Sequence, residues 1–213
     1  MTRMKRIFAA CVAAACTLAA HASGLENLEK FVKSAHSGRA EFTQVVTAPG
    51  RDGQPARSKT SSGTFEFLRP NRFRFDYRKP FEQTIVADGQ TLWLYDADLN
   101  QVTARTQAQA LGSTPAALVA ASPDVNSLRK DFNLEAAADK DGLQWVQATP
   151  KTKDGQLTLV RIGFRGDDLA QLEILDSFGQ RSVITFTRME LNASVGADKF
   201  QFKPPKGADV VKQ

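Results

Sequence analysis

Outside its first 22 residues this chain carries one histidine, His36, and three close groupings of carboxylates: Asp96 with Asp98, Asp139 with Asp141, and Asp167 with Asp168. These groups could do acid–base or metal chemistry, and none has the company that such chemistry needs. A histidine base works beside a nucleophile with an acid behind it. His36 instead stands at the end of a helical pattern, where its ring meets the negative end of the helix dipole. Asp96-Ala97-Asp98-Leu99-Asn100 begins like a calcium loop, but the glycine required sixth is Gln101 and the glutamate required twelfth is Gln107. Turn-forming Asp and Asn chemistry explains that run better, and the other two pairs fall in hairpin turns beside Gly142 and Gly166. There is no G-x-S-x-G, H-E-x-x-H or phosphate-cradling glycine loop. The sequence predicts no catalysis, no metal and no cofactor.

What it offers instead is apolar surface in order. From Ser61 to Thr106, Phe65 and Phe67, then Phe73, Phe75 and Tyr77, alternate with polar residues, so the rings fall on one face of extended strands. Arg69-Pro70-Asn71 makes a turn between the two runs, Asp88-Gly89 makes a tight hairpin, and Leu92 to Tyr95 forms the next strand. Phe65, Phe67, Phe73, Phe75, Trp93 and Tyr95 are the candidates for lining a cavity or its edge. Period two does not distinguish an open interior from a filled one.

Other elements must position these rings. Ser23 is the expected cap of an amphipathic helix bearing Leu25, Leu28, Phe31, Val32 and Ala35, with Glu26 in its first turn and Gly38 after its end. A strand is expected over Arg39–Thr47, then an exposed loop over Ala48–Lys59. Thr114 as N-cap and Pro115 at the first helical position open a short apolar helix, which Ser122-Pro123-Asp124 breaks before another runs through Leu128. Strands return at Phe132–Ala138, Leu143–Thr149, Leu157–Arg165, Leu169–Asp176 and Arg181–Leu191, and Phe200–Gly207 reads as a last edge strand or tail. The total is about ten or eleven strands with one helical insertion, whose apolar face fits the concave mouth of a curved sheet.

The first 22 residues have a basic start (Arg3, Lys5, Arg6), an apolar run from Ile7 to Ala20, and Ala20-His21-Ala22, which is the pattern of a secretory signal peptide cleaved after Ala22. Residues 23–213 then form one domain with no cysteine, since Cys11 and Cys16 both lie in the leader. Losing the leader's three cations lowers the formal charge from +5 to +2, and no basic run remains to suggest nucleic acid.

The string LRPNRFRFDYRKPFEQTIVADGQTLWLYDADLNQVT, then Ser113-Thr114-Pro115-Ala116-Ala117-Leu118, Trp145, Thr149-Pro150-Lys151 and Phe202 to Val210, resembles the periplasmic lipoprotein carrier family of Gram-negative bacteria, LolA. The resemblance implies a mainly β fold: an incomplete, strongly curved antiparallel barrel with a short helical lid and an N-terminal helix. It implies a periplasmic carrier that takes acylated lipoproteins from an inner-membrane ABC transporter and passes them to an outer-membrane receptor; a carrier that meets membrane partners in turn is most simply a monomer. Arg69 would be the latch that hydrogen-bonds to the lid in the empty form, and Phe73 would work at the transfer surface, here flanked by Arg72 and Arg74. The lid would comprise Thr114, Pro115, Leu118, Val119 and Ala120, with small residues at Ala116 and Ala117. Two other readings share the scaffold: a lipid- or lipoprotein-sensing regulatory module, and a membrane-anchored receptor if Cys16 is lipidated.

Overall fold

The structure, a computed structural model, describes residues 23–50, 53–107, 122–152 and 157–213. The expected leader, with Cys11 and Cys16, and the expected lid positions Thr114, Pro115, Leu118, Val119 and Ala120 lie outside the described residues.

Helix α1 (Gly24–Ser34) starts where its cap predicts. The Ser23 hydroxyl accepts from the Glu26 N–H and the Glu26 carboxylate accepts from the Ser23 N–H, a reciprocal capping box. Leu28, Phe31 and Val32 lie on one side and are buried. The helix begins so close to the sheet that a Cβ on Gly24 would stand 2.4 Å from the Trp145 carbonyl oxygen, a contact only glycine avoids.

Twelve strands follow: β1 (Ser37–Ala48), β2 (Arg57–Leu68), β3 (Arg72–Lys79), β4 (Gln83–Asp88), β5 (Thr91–Asp96), β6 (Gln101–Thr106), β7 (Phe132–Lys140), β8 (Leu143–Pro150), β9 (Leu157–Arg165), β10 (Asp168–Asp176), β11 (Arg181–Leu191) and β12 (Asp209–Lys212). A second helix, α2 (Val125–Asp131), capped by the Asp124 carboxylate, precedes β7. All the strands belong to one sheet, in the order β12-β6-β5-β4-β3-β2-β1-β11-β10-β9-β8-β7. The first strand is therefore central, with one meander running outward from each side of it. β12 and β7 stand at opposite ends of the order, so the sheet curls without closing. Its curvature is visible in Phe31 of α1, whose ring contacts Phe67 on β2 and Phe164 on β9, from opposite sides of the centre.

Cross-strand register sorts the side chains by face. Gly38, Phe67, Phe73, Ala87 and Leu92 form one inner row across β1 to β5, and Ala40, Phe65, Phe75, Ile85 and Leu94 form the next. In the third row Phe42, Gly63 and Tyr77 are aligned. Gly63 has no side chain to separate its neighbours, so the Phe42 and Tyr77 rings meet edge to face at 4.9 Å. A Cβ there would stand 1.9 Å from the Asp76 carbonyl oxygen.

Some details differ from expectation. The described residues hold twelve strands, where about ten or eleven were expected. β2 begins inside the expected loop, at Arg57, because its first four residues are all exposed and carry no alternating apolar signal. The last strand is Asp209–Lys212, parallel to β6, and of the two readings of Phe200–Gly207, edge strand or tail, the tail holds. Pro204 and Pro205 have no N–H for a ladder, and the rings before them serve as a cover instead. The 3-10 turn Ala197–Phe200 packs on β3 and β4 with Phe200 buried, and Phe202 lies on Trp93 and Tyr95, with centroids 5.6 and 6.2 Å apart.

Gly63→Ala is expected to lower stability by about 1–3 kcal/mol, because backbone must shift to admit the methyl; thermal unfolding followed by circular dichroism reads it as a lower Tm. Phe202→Ala uncovers Trp93 and leaves Trp145 alone, so the tryptophan emission should shift to the red with the sheet signal unchanged.

Candidate functional site

Arg69 follows β2 and opens the Arg69-Pro70-Asn71 turn, with Asn71 in the left-handed region at φ 61°. Its backbone N–H donates to the His36 carbonyl at 2.8 Å. Its side chain reaches inward, where Nε donates to the Ala35 carbonyl at 2.6 Å and Nη1 donates to the Ser122 carbonyl. The guanidinium also lies 5.5 Å from the ring centroids of both Phe31 and Phe67. Such contacts favour the cation. Desolvation works against it and lowers the pKa to about 10, so the group remains charged at neutral pH.

This geometry joins the carbonyl of Ala35, the residue that ends α1, to that of Ser122, which immediately follows residues 108–121, where the lid was expected. Sequence reasoning missed Ala35 as a partner, because a backbone acceptor leaves no mark in residue type. It also missed Gln107, which is buried at the other border of that stretch. The Gln107 amide donates to the Asn71 carbonyl at 2.7 Å and accepts from the Gly89 N–H at 3.0 Å. The single turn at residues 69–71 therefore holds the chain on both sides of residues 108–121. A buried Gln among polar neighbours is a weak sequence signal, and in the sequence Gln107 stands out only as the position where a calcium loop would need its glutamate.

Phe65, Phe67, Phe73 and Phe75 are all buried on the inner face, with Phe65 and Phe75 4.5 Å apart and Phe42 edge-on to Phe75 at 5.3 Å. Phe73, expected at the transfer surface, is fully enclosed between Phe67 and Ala87. Trp93 and Tyr95 do not join this interior. They alternate with Leu92 and Leu94, which face the core, and so point to the outer side under Phe202. The expectation that they line a cavity is corrected on that ground. Trp93 instead donates from Nε1 to the Asp88 carboxylate at 3.0 Å. Burial alone would raise the Asp88 pKa, but the N–H donors of Thr91, Trp93 and Gln90 outweigh it and hold the carboxyl below its usual range.

Beyond the rings the inner face becomes polar. The Tyr77 hydroxyl donates to Gln44 Oε1 at 2.9 Å, and Gln44 Nε2 donates to Ser182 Oγ at 2.7 Å, a bridge from β3 to β11 across the centre of the sheet. Burial pushes the Tyr77 phenol up to about 12, so it is a donor throughout the physiological range. On the far side of this bridge opens a pocket of about 730 Å³, whose walls include Val46, Lys59, Phe81, Gln83 and Leu99.

The chain is similar to known proteins over nearly its whole length. The family described as "Outer membrane lipoprotein carrier protein LolA" matches residues 33–203. A protein of Albidiferax ferrireducens named outer-membrane lipoprotein carrier protein is 64% identical over 99% of this chain and 100% of its own length. One of the same name from Methylibium petroleiphilum is 55% identical over 96% of each chain. Among solved structures, a LolA superfamily protein of Nitrosomonas europaea aligns with a TM-score of 0.47 at 13% identity, covering 85% of this chain and 99% of its own. On the family match and these two relatives, the chain belongs to the outer membrane lipoprotein carrier family.

Proposed function

We propose that this chain is a periplasmic carrier that holds the acyl chains of lipoproteins released from the inner membrane and delivers them to the outer membrane. Residues 1–22 serve as its export signal. Its partners are an inner-membrane transporter that releases lipoproteins and an outer-membrane receptor that accepts them. Family membership supports the class of activity. The observation that carries the mechanism is Arg69, charged, set against Phe31 and Phe67 and bonded to the carbonyls of Ala35 and Ser122.

The difficulty for such a carrier is release. Each buried methylene contributes about 0.8 kcal/mol, so one sixteen-carbon chain fully withdrawn from water contributes about 12 kcal/mol. A ligand held on that scale leaves only if loading breaks something favourable in the empty protein. The inner rings are already packed against one another and α1, so hydrocarbon enters by parting them. The same displacement draws the Ala35 and Ser122 carbonyls away from Arg69. A buried donor left short of partners costs about 1–3 kcal/mol, and that cost lowers the barrier to handing the cargo on.

Arg69→Leu is expected to load acylated lipoprotein as well as the parent chain does, or better, and to deliver several-fold less of it. Transfer from loaded, purified carrier to purified receptor measures this, and undiminished delivery by the variant would remove Arg69 from the mechanism.

A further inference from the structure

The inner face changes character once along its length, and the change is abrupt. On the Arg69 side lie the packed phenylalanines; on the other side lies the 730 Å³ pocket, and the Gln44, Tyr77 and Ser182 bridge stands at the boundary. On β2, between Tyr77 and Gln44, the inner positions are Gly63 and Ser61, so nothing bulky covers the polar atoms where they cross the sheet. The bridge uses one N–H of the Gln44 amide and leaves the second N–H and the Ser182 hydroxyl proton to donate. A threshold that offers donors, with apolar walls behind it and an open chamber before it, matches one ligand chemistry: hydrocarbon chains that begin at carbonyl groups.

We propose that this bridge seats the ester or amide carbonyls at the heads of the acyl chains, with the glyceryl and peptide portion of the ligand in the pocket. The inference rests on the carrier reading above and adds a specificity to it. Hydrocarbon without carbonyls, drawn across the bridge, strips water from Gln44 and Ser182 and returns no acceptor. A site that offers hydrogen-bond donors disfavours such an analogue by about the worth of one net hydrogen bond. Between ligands of equal chain length, the linkage at the chain head then decides which binds more tightly.

The test compares two synthetic lipopeptides with the same peptide and two sixteen-carbon chains, one joined to glycerol by ester bonds and the other by ether bonds. Each displaces a fluorescent fatty-acid probe from the purified protein. The ester form should bind about fivefold more tightly than the ether form, the scale of one net hydrogen bond. In the double variant Gln44→Leu with Tyr77→Phe, which removes both partners of one bond together, the preference should fall to within about twofold. Ser182→Ala, which removes one donor and little bulk, should fall between and serves if the double variant is unstable. Equal binding of ester and ether by the parent protein, or an undiminished preference in both variants, overturns the proposal and leaves the carrier reading intact. Failure of the parent protein to bind either lipopeptide overturns the carrier reading itself.

Discussion

Arg69 brings a full charge against the faces of Phe31 and Phe67, and carbonyl oxygens at Ala35 and Ser122 sustain it there. Much of the fold can be understood as the means of placing those groups together. The capping box fixes where α1 begins, and its eleven residues then fix where Ala35, just past its end, presents its carbonyl. Gly24 lets the helix approach β8 closely enough for Phe31 to reach both Phe67 and Phe164. The turn at residues 69–71 supplies the arginine on one side and the Asn71 carbonyl for Gln107 on the other. A charge in an apolar interior is a conditional arrangement, stable while its acceptors stay and costly when they move. That conditional character suits a protein whose task is to hold something and let it go.

The two faces of the sheet divide the aromatic residues between two different tasks. Inside, the phenylalanines pack with one another and against α1. Outside, Trp93 and Tyr95 are roofed by Phe202 from the C-terminal segment, which then joins the sheet as a parallel strand beside β6. The carrier's apolar interior therefore does not use every ring in the aromatic run. A sheet with rings on both faces needs a second cover, and the tail provides it.

Much of this was legible in the sequence. The Ser23 cap, the limits of β9 and β11, the Arg69-Pro70-Asn71 turn and the alternation of Phe65, Phe67, Phe73 and Phe75 are local signals, and the folded chain follows them closely. Three things were not legible, for separate physical reasons. The face of Trp93 and Tyr95 is set by what lies on the outer side, here a ring more than a hundred positions away. The start of β2 lies in exposed residues without periodicity. The acceptors of Arg69 are backbone carbonyls, which every residue possesses and composition does not reveal.

The central position of β1 has a consequence for how the chain reaches this state. β1 can pair with β2 as soon as both have emerged, but its other edge must wait for β11, near the end of the sequence. Pairings so distant along the chain close slowly, and an unpaired edge in the interim invites other strands to add to it. Arg39 and Glu41 sit on that waiting strand and in the finished sheet meet Glu190 and Arg188 of β11, each pair at 2.6 Å. As exposed ion pairs they add little to final stability. During folding the same two charges keep the open edge hydrated and favour the one late strand that carries their complements.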